Sequence, residues 1–239
     1  MLKVFISSIE RQTGKTLITA GLAATMQSLS YSTNVYKPIQ TGAENLNGFK
    51  RSPDLMKIKA IDPNIAVQST YLMSGTSSPF VSSYEDNIKI DINTIFNEFI
   101  SYSNLSDCSI IEGSNSISTP IAQYLTEIDI VKSLKIPLVL VVNPTKTSID
   151  NVITSLKLIE NSRVKFSGII INQYDENSKN LEHKYFPQII KEFSNYEILG
   201  LIPDYKDVNT LSPETLIADI LNRINIEKLF GLKIAKLNG

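Results

Sequence analysis

Lys3-Val4-Phe5-Ile6-Ser7-Ser8-Ile9-Glu10-Arg11-Gln12-Thr13-Gly14-Lys15-Thr16-Leu17-Ile18-Thr19-Ala20-Gly21-Leu22 is the stretch from which the rest of the chain is read. Residues 3–7 form a short apolar run of strand length, a polar loop follows, and a helical pattern begins directly after Gly14-Lys15-Thr16. Strand, loop, GKT and helix in that order are the context a phosphate-binding loop requires. Consecutive backbone N–H groups and the positive helix end cradle phosphate oxygens, the lysine contacts the β and γ phosphates, and the threonine hydroxyl ligates magnesium. Nucleotide-binding residues are accordingly expected at Gln12, Thr13, Gly14, Lys15, Thr16 and Leu17. The strict G-x-x-x-x-G-K-[ST] spacing is not met, because Ile9 occupies the first glycine position and Ser8, one residue earlier, is the nearest small residue.

Outward from that loop, short apolar segments alternate with longer amphipathic stretches, the rhythm of a parallel α/β sheet. Strands are predicted at 3–7, 34–37, 109–112, 137–142, 167–171 and 198–202, and helices at 15–29, 93–102, 149–160, 181–193 and 213–229. Leu138-Val139-Leu140-Val141-Val142 and Gly168-Ile169-Ile170-Ile171 are apolar at every position, so both faces of those strands need cover. The predicted fold class is α/β, a P-loop protein with a mostly parallel central sheet and helices on both faces. No repeat, low-complexity segment or Pro-rich linker divides the chain, so a single domain over 1–239 is expected. The polar stretches 41–53 and 74–87 are the longest irregular ones, and read either as ligand loops beyond the C-terminal strand ends or as plain surface loops.

The 23 Lys plus Arg and 24 Asp plus Glu give a formal net charge of −1, which supplies no general attraction to nucleic acid or anionic lipid. Neither a nucleic acid nor a membrane is an expected partner. One cysteine, Cys108, and one histidine, His183, exclude an intramolecular disulfide, a Cys-based metal cage and a His-rich zinc site. Cys108 reads as a small core residue and His183 as a surface helix residue. The apolar start is too short for a secretion signal, and no stretch approaches the ~18 apolar residues of a membrane span, so a soluble, cytoplasmic protein is expected.

A magnesium nucleotide site also needs a carboxylate at the end of a neighbouring strand. Ser109-Ile110-Ile111-Glu112-Gly113 offers one, and burying Glu112 there without a metal or a cation would be costly. Its other reading is an acid exposed in a turn. Asp54, in Ser52-Pro53-Asp54-Leu55, reads by itself as a helix-start acid.

Val35-Tyr36-Lys37-Pro38-Ile39-Gln40-Thr41-Gly42, downstream of the GKT loop, resembles the second strand of the dethiobiotin synthetases, a family that reads tyrosine or phenylalanine and then K-P-x-x-[ST]-G. The resemblance continues in family order through Ser52-Pro53-Asp54, Ser78-Pro79, Glu112-Gly113, Thr119-Pro120, Asn172 and Gly200-Leu201-Ile202-Pro203, nearly the whole chain. It implies an ATP-dependent ring closure: 7,8-diaminopelargonate and CO2 (or bicarbonate) form a carbamate, ATP phosphorylates it, and the second amine displaces phosphate to make a cyclic urea. By matching motif positions it makes Lys15 and Lys37 catalytic, with Lys15 on the phosphates and the carbamate. Thr16, Asp54 and Glu112 would hold magnesium, and Asn172 with the backbone near Pro203 would recognise adenine. Thr41, Arg11, Ser114 and Asn115 fall at substrate-contacting positions. The resemblance also implies a homodimer. Two lysines and a metal suit phosphoryl transfer, which is catalysed by positioning and charge neutralisation.

Within those motifs the chain departs from the family. In the loop G-T-[DN]-T-x-x-G-K-T, Ser8 stands for the glycine, Ile9 for threonine, Glu10 for the acid or amide and Arg11 for the second threonine, so a hydroxyl is exchanged for a long cation. E-G-A-G-G becomes Glu112-Gly113-Ser114-Asn115-Ser116, with side chains where glycine permits close approach. S-P-H-x-A-A becomes Ser78-Pro79-Phe80-Val81-Ser82-Ser83, and G-x-[IL]-N-H is represented by Thr147-Ser148-Ile149-Asp150-Asn151. Two alternatives stay open at this point: a nucleotide-binding or regulatory relative without ring closure, and a P-loop ligase for another substrate, such as a cobyrinate amidase. The amidases carry a glutaminase domain with a cysteine nucleophile, whereas Cys108 lies in a predicted buried strand. Partitioning ATPases of the ParA and MinD type share the layout, but their signature lysine falls at Glu10.

Overall fold

The computed structural model describes residues 1–205 and 207–233. Its opening unit is β1 (Leu2–Ser8), the loop 9–14, α1 (Lys15–Ser28) and β2 (Thr33–Gln40). Residues Ile18 to Met26 of α1 are buried all round, so the helix is built from small and apolar residues there and has no polar stripe. A hairpin of β3 (Glu44–Leu46) and β4 (Phe49–Arg51) leads to α2 (Pro53–Ile61) and β5 (Ala66–Leu72). Ser52 caps α2 by accepting the Leu55 N–H at 3.2 Å, and Pro53 presets φ for the first turn.

α3 (Pro79–Glu85) and α4 (Ile92–Ser103) precede β6 (Cys108–Glu112), and a small hairpin of β7 (Pro120–Ala122) and β8 (Leu125–Thr126) runs into α5 (Glu127–Leu134). The Thr126 N–H donates to Asp129 Oδ2 at 2.9 Å, part of a capping box that starts α5. β9 (Leu138–Val142), α6 (Ile149–Ser162), β10 (Phe166–Tyr174), α7 (Leu181–Phe193), β11 (Ile198–Pro203), α8 (Pro213–Arg223) and α9 (Ile226–Phe230) follow.

Seven strands form the central sheet in the order β11-β10-β9-β1-β6-β2-β5, and its six ladders are all parallel. Successive residues of each strand enter opposite layers, as the twofold pleat requires. Val4, Ile6, Val35, Ile110, Val139, Val141 and Ile170 pack with α1, α2, α8 and α9, while Phe5, Tyr36, Ile111, Leu138, Leu140, Ile169 and Ile171 pack with α4, α5, α6 and α7. The expected α/β class, with helices on both faces, is the one the chain adopts. Among the described residues no helix is long and apolar enough to cross a membrane.

Four local expectations are corrected. β5 is a seventh, half-buried edge strand, and its Gln68, Ser69 and Thr70 mask the strand pattern. The helix expected over 213–229 is two helices: Ile224 is extended and bridges Gly200 beside β11, and Asn225 restarts the chain by accepting the Lys228 N–H at 3.0 Å. The stretches 41–53 and 74–87 are only partly irregular, since they hold the β3–β4 hairpin and α3. β2 also runs three residues past its expected end. Its pairing with β6 stops at Tyr36, so the missing N–H of Pro38 removes no bond on that side.

Candidate active site

The C-terminal ends of β1, β2, β6 and β10 open on one cavity of about 760 Å³, a size that encloses a small-molecule ligand. β1 lies at the middle of the sheet between β6 and β9, so the loop 9–14 enters the cavity from its centre. Gly14 precedes α1 with φ 87°, a left-handed conformation that glycine adopts without penalty. Beside it, Asn172 of β10 donates through Nδ2 to Thr13 O at 2.8 Å, and a Cβ on Gly14 would stand 2.0 Å from that nitrogen. Gly14→Ala is therefore expected to abolish ATP binding and lower the melting temperature, the backbone alone costing about 1–2 kcal/mol before Asn172 is displaced. Unchanged ATP affinity in titration calorimetry would contradict this packing.

Lys15 is 7% exposed, and its Nζ donates to Ser8 Oγ at 2.9 Å and Asn115 O at 2.7 Å. Ser8, standing near the missing glycine, thus supplies an acceptor for the loop lysine, and its own hydroxyl lies 2.6 Å from Asn115 O. Burial pushes the Lys15 ammonium down to about 8. Glu127 opposes that shift, Lys37 adds to it, and Glu112 and Asp54 oppose it.

Lys37 is 1% exposed, with Nζ donating to Glu112 Oε1 at 2.7 Å and lying 2.8 Å from Asp54 Oδ2. Burial alone would lower its pKa, but Glu112 and Asp54 outweigh burial and the net shift is upward. For Asp54, burial works upward and is overcome by Lys37, which holds the carboxyl below its usual range. Thr16 Oγ1 donates to Glu112 Oε1 at 2.9 Å, and Glu112 Oε2 is buried without a hydrogen-bond partner. Thr16, Asp54 and Glu112 are therefore brought together as a hard oxygen set with an unused carboxylate oxygen, which fits a magnesium ion that keeps most of its own waters. Among the described residues no group of three or more His, Cys, Asp or Glu is arranged to hold a metal.

Gln12, Leu17, Thr41, Arg11, Ser114, Asn115 and Asn172 also line the cavity. Arg11 is exposed and donates from Nη1 to Thr76 O at 3.1 Å. Thr41 accepts the Gln40 Nε2–H on its carbonyl at 2.6 Å. Ser114 directs its N–H and hydroxyl to Glu127 Oε2 at 2.6 and 2.8 Å. Asn172 Oδ1 is buried without a partner. Thr13 contributes the carbonyl beneath Gly14, Pro203 ends β11, and Val208, Leu211 and Pro213, further along the chain, line the cavity. Sequence reasoning missed Glu127 and Lys57. Lys57 lines the cavity one helical turn after Asp54, a spacing that was there to be used. Glu127 gave no signal, because an acid at a helix start is ordinary.

A parallel sheet whose central strand feeds a GKT loop, with a buried lysine and two carboxylates opposite, defines a phosphate-loop nucleotide-binding protein. A family profile described as an AAA domain matches residues 3–212. The ParA family ATPase from Chlorobium tepidum shares the fold at a TM-score of 0.58 and 17% identity, over 92% of this chain and 91% of that one. The ATP-dependent dethiobiotin synthetase BioD of Nitrosopumilus maritimus is 27% identical over 89% of this chain and 93% of its own length. That of Clostridium botulinum strain Alaska E43 is 30% identical over 86% and 92%. The chain belongs to the AAA domain family and to the ATP-dependent dethiobiotin synthetases.

Proposed function

We propose that the chain is an ATP-dependent ligase of biotin biosynthesis that closes the cyclic urea of dethiobiotin from 7,8-diaminopelargonate and CO2 (or bicarbonate), releasing ADP and phosphate. The reading includes one domain over 1–239, magnesium as the partner of ATP, a homodimer and a cytoplasmic location. One observation carries it: Lys15 of the phosphate loop and Lys37 of β2 are both buried at the same cavity, with Lys37 between Asp54 and Glu112 at 2.8 and 2.7 Å. Two fixed, buried cations supply what transfer of a phosphoryl group to an anion demands.

In this reading CO2 joins one amine with loss of a proton, giving the carbamate. A carbamate oxygen attacks the γ phosphorus and ADP leaves. The second amine then attacks the carbonyl carbon, phosphate leaves, and that amine gives up a proton. Lys15 holds the β and γ phosphate oxygens and the carbamate, and Lys37 neutralises the carbamate and the charge that develops on the transferred group. Thr16, Asp54 and Glu112 would hold magnesium, whose charge would add to that of the lysines around the phosphates. Thr41, Arg11, Ser114 and Asn115 border the diamine.

Asn172, with the backbone near Pro203, reads the base in this proposal. One N–H of the Asn172 Nδ2 is held by Thr13 O, and its buried Oδ1 is an acceptor without a partner, which the adenine amino group satisfies and the guanine carbonyl does not. Asn172→Ala is expected to raise the KM for ATP about tenfold and to narrow the preference for ATP over GTP. An unchanged preference in a competition assay would remove Asn172 from base recognition.

The whole reading is tested by phosphate release from ATP, magnesium and bicarbonate, with and without 7,8-diaminopelargonate, while products are followed by mass spectrometry. Diamine-dependent release with a cyclic urea product is expected. ATP binding without diamine-dependent release would reassign the chain as a nucleotide-binding relative that lacks ring closure.

A further inference from the structure

Glu127, the first residue of α5, belongs to no motif in the sequence, yet it is 1% exposed beside the cavity. A carboxylate so far from water must be met by donors. Ser7 Oγ, at the end of β1, donates to its Oε1, while the Ser114 N–H and Ser114 Oγ donate to its Oε2. The carboxylate also lies directly against Gly113, where a Cβ would stand 2.2 Å from Oε1, so only glycine leaves room for it.

The segment that Glu127 grips is the one that turns carbonyls onto the two lysines. Gly113 O accepts from Lys37 Nζ at 3.3 Å, and Asn115 O accepts from Lys15 Nζ at 2.7 Å. The Gly113 carbonyl and the Ser114 N–H belong to one planar trans peptide and point in opposite directions. Clamping that N–H from one side therefore aims the carbonyl to the other, at Lys37. The second bond, from the Ser114 hydroxyl, restrains the residue that leads into Asn115. At its other oxygen Glu127 holds Ser7, next to Ser8, whose hydroxyl is the second acceptor for Lys15.

We infer that Glu127 is a positioning residue for both lysines, clamping the Gly113–Ser114 peptide and the end of β1 so that Lys15 and Lys37 are presented to the cavity. Its charge acts in the same sense, favouring the Lys15 ammonium alongside Glu112 and Asp54 and against Lys37.

Reductive methylation of the full chain, read by peptide mapping, reports how firmly each lysine amine is held and needs no turnover. In Glu127→Ala the rates at Lys15 and Lys37 are expected to rise about fivefold or more relative to the exposed Lys157, as local opening of a clamped segment would produce. Glu127→Gln still offers an acceptor to Ser114 and a donor to Ser7, so it is expected to stay close to the parent at Lys37 and, having lost only the charge, to lie between the parent and Glu127→Ala at Lys15. Unchanged rates at both lysines in Glu127→Ala overturn the inference. If that variant does not fold, Glu127→Asp, one methylene too short to reach Ser7 and Ser114 together, carries the same expectation and the same overturning result.

A kinetic arm rests on the proposed ring closure. Per ATP-binding site, kcat for diamine-dependent phosphate release is expected to fall about tenfold or more in Glu127→Ala, with most of the loss recovered in Glu127→Gln. Parent-like kcat in Glu127→Ala overturns the inference. A parent protein without diamine-dependent release sinks the functional reading instead, and the methylation rates still decide the role of Glu127.

Discussion

Lys37→Ala is expected to lower diamine-dependent turnover about 10²–10³-fold while ATP affinity stays nearly unchanged. The size follows from the loss of one fixed, buried donor aimed at developing charge, worth about 3–4 kcal/mol. The selectivity follows from position, since Lys37 stands on Asp54 and Glu112 and not on the phosphate loop. The same substitution removes the cation from two carboxylates, one of them fully buried, and breaking a buried pair in this way costs about 3–5 kcal/mol of stability. Added magnesium is expected to restore part of the lost melting temperature, because it gives Asp54 and Glu112 a cation again. Lys37→Arg is not expected to rescue turnover: a larger, planar guanidinium paired to the two carboxylates does not put a compact point charge where the ammonium stands. Turnover is read per ATP-binding site, below the melting temperature of the variant, and parent-like turnover in Lys37→Ala would remove Lys37 from the mechanism.

The residues of this site were legible to the extent that their chemistry is local in sequence. The GKT loop announces itself because strand, turn and helix start are contiguous, and Glu112 because an apolar run ends in an acid. Lys37 was found from the K-P-I-Q-T-G segment, and its partners could be named but not paired, since the contact with Asp54 and Glu112 needs β2 and β6 to be neighbours in the sheet. β5 was missed because an edge strand buries little and need not read as apolar. The break at Ile224 and Asn225 is set by pairing with Gly200, a partner far away in the chain. Val208, Leu211 and Pro213 of the cavity wall were not singled out, because their place depends on where the chain turns after β11. Glu127 is the clearest case. Its neighbours Thr126 and Asp129 make a capping box visible at the level of spacing, but its burial against Gly113 depends on docking the start of α5 under the loop after β6.

Lys15→Ala is expected to differ from Lys37→Ala in kind, weakening ATP binding about 10²–10³-fold and lowering turnover with it. An ammonium on the β and γ phosphates contributes charge-assisted hydrogen bonds worth about 1.5–3 kcal/mol each, and two of them at the lower end of that scale account for the loss. The pH dependence separates the two lysines. Burial brings the Lys15 pKa down to about 8, so in the free protein the charged form that phosphate requires is lost as pH rises through that value. Lys37 is shifted the other way by Glu112 and Asp54 and stays charged across the same interval. ATP affinity of the parent is therefore expected to decline above about pH 8, and the Lys15→Ala variant, already weak, is expected to lack that decline. Titration calorimetry across this pH interval checks both at once. Parent-like affinity in Lys15→Ala, or a parent whose affinity is flat there, would count against the ammonium of Lys15 as the group that grips the nucleotide.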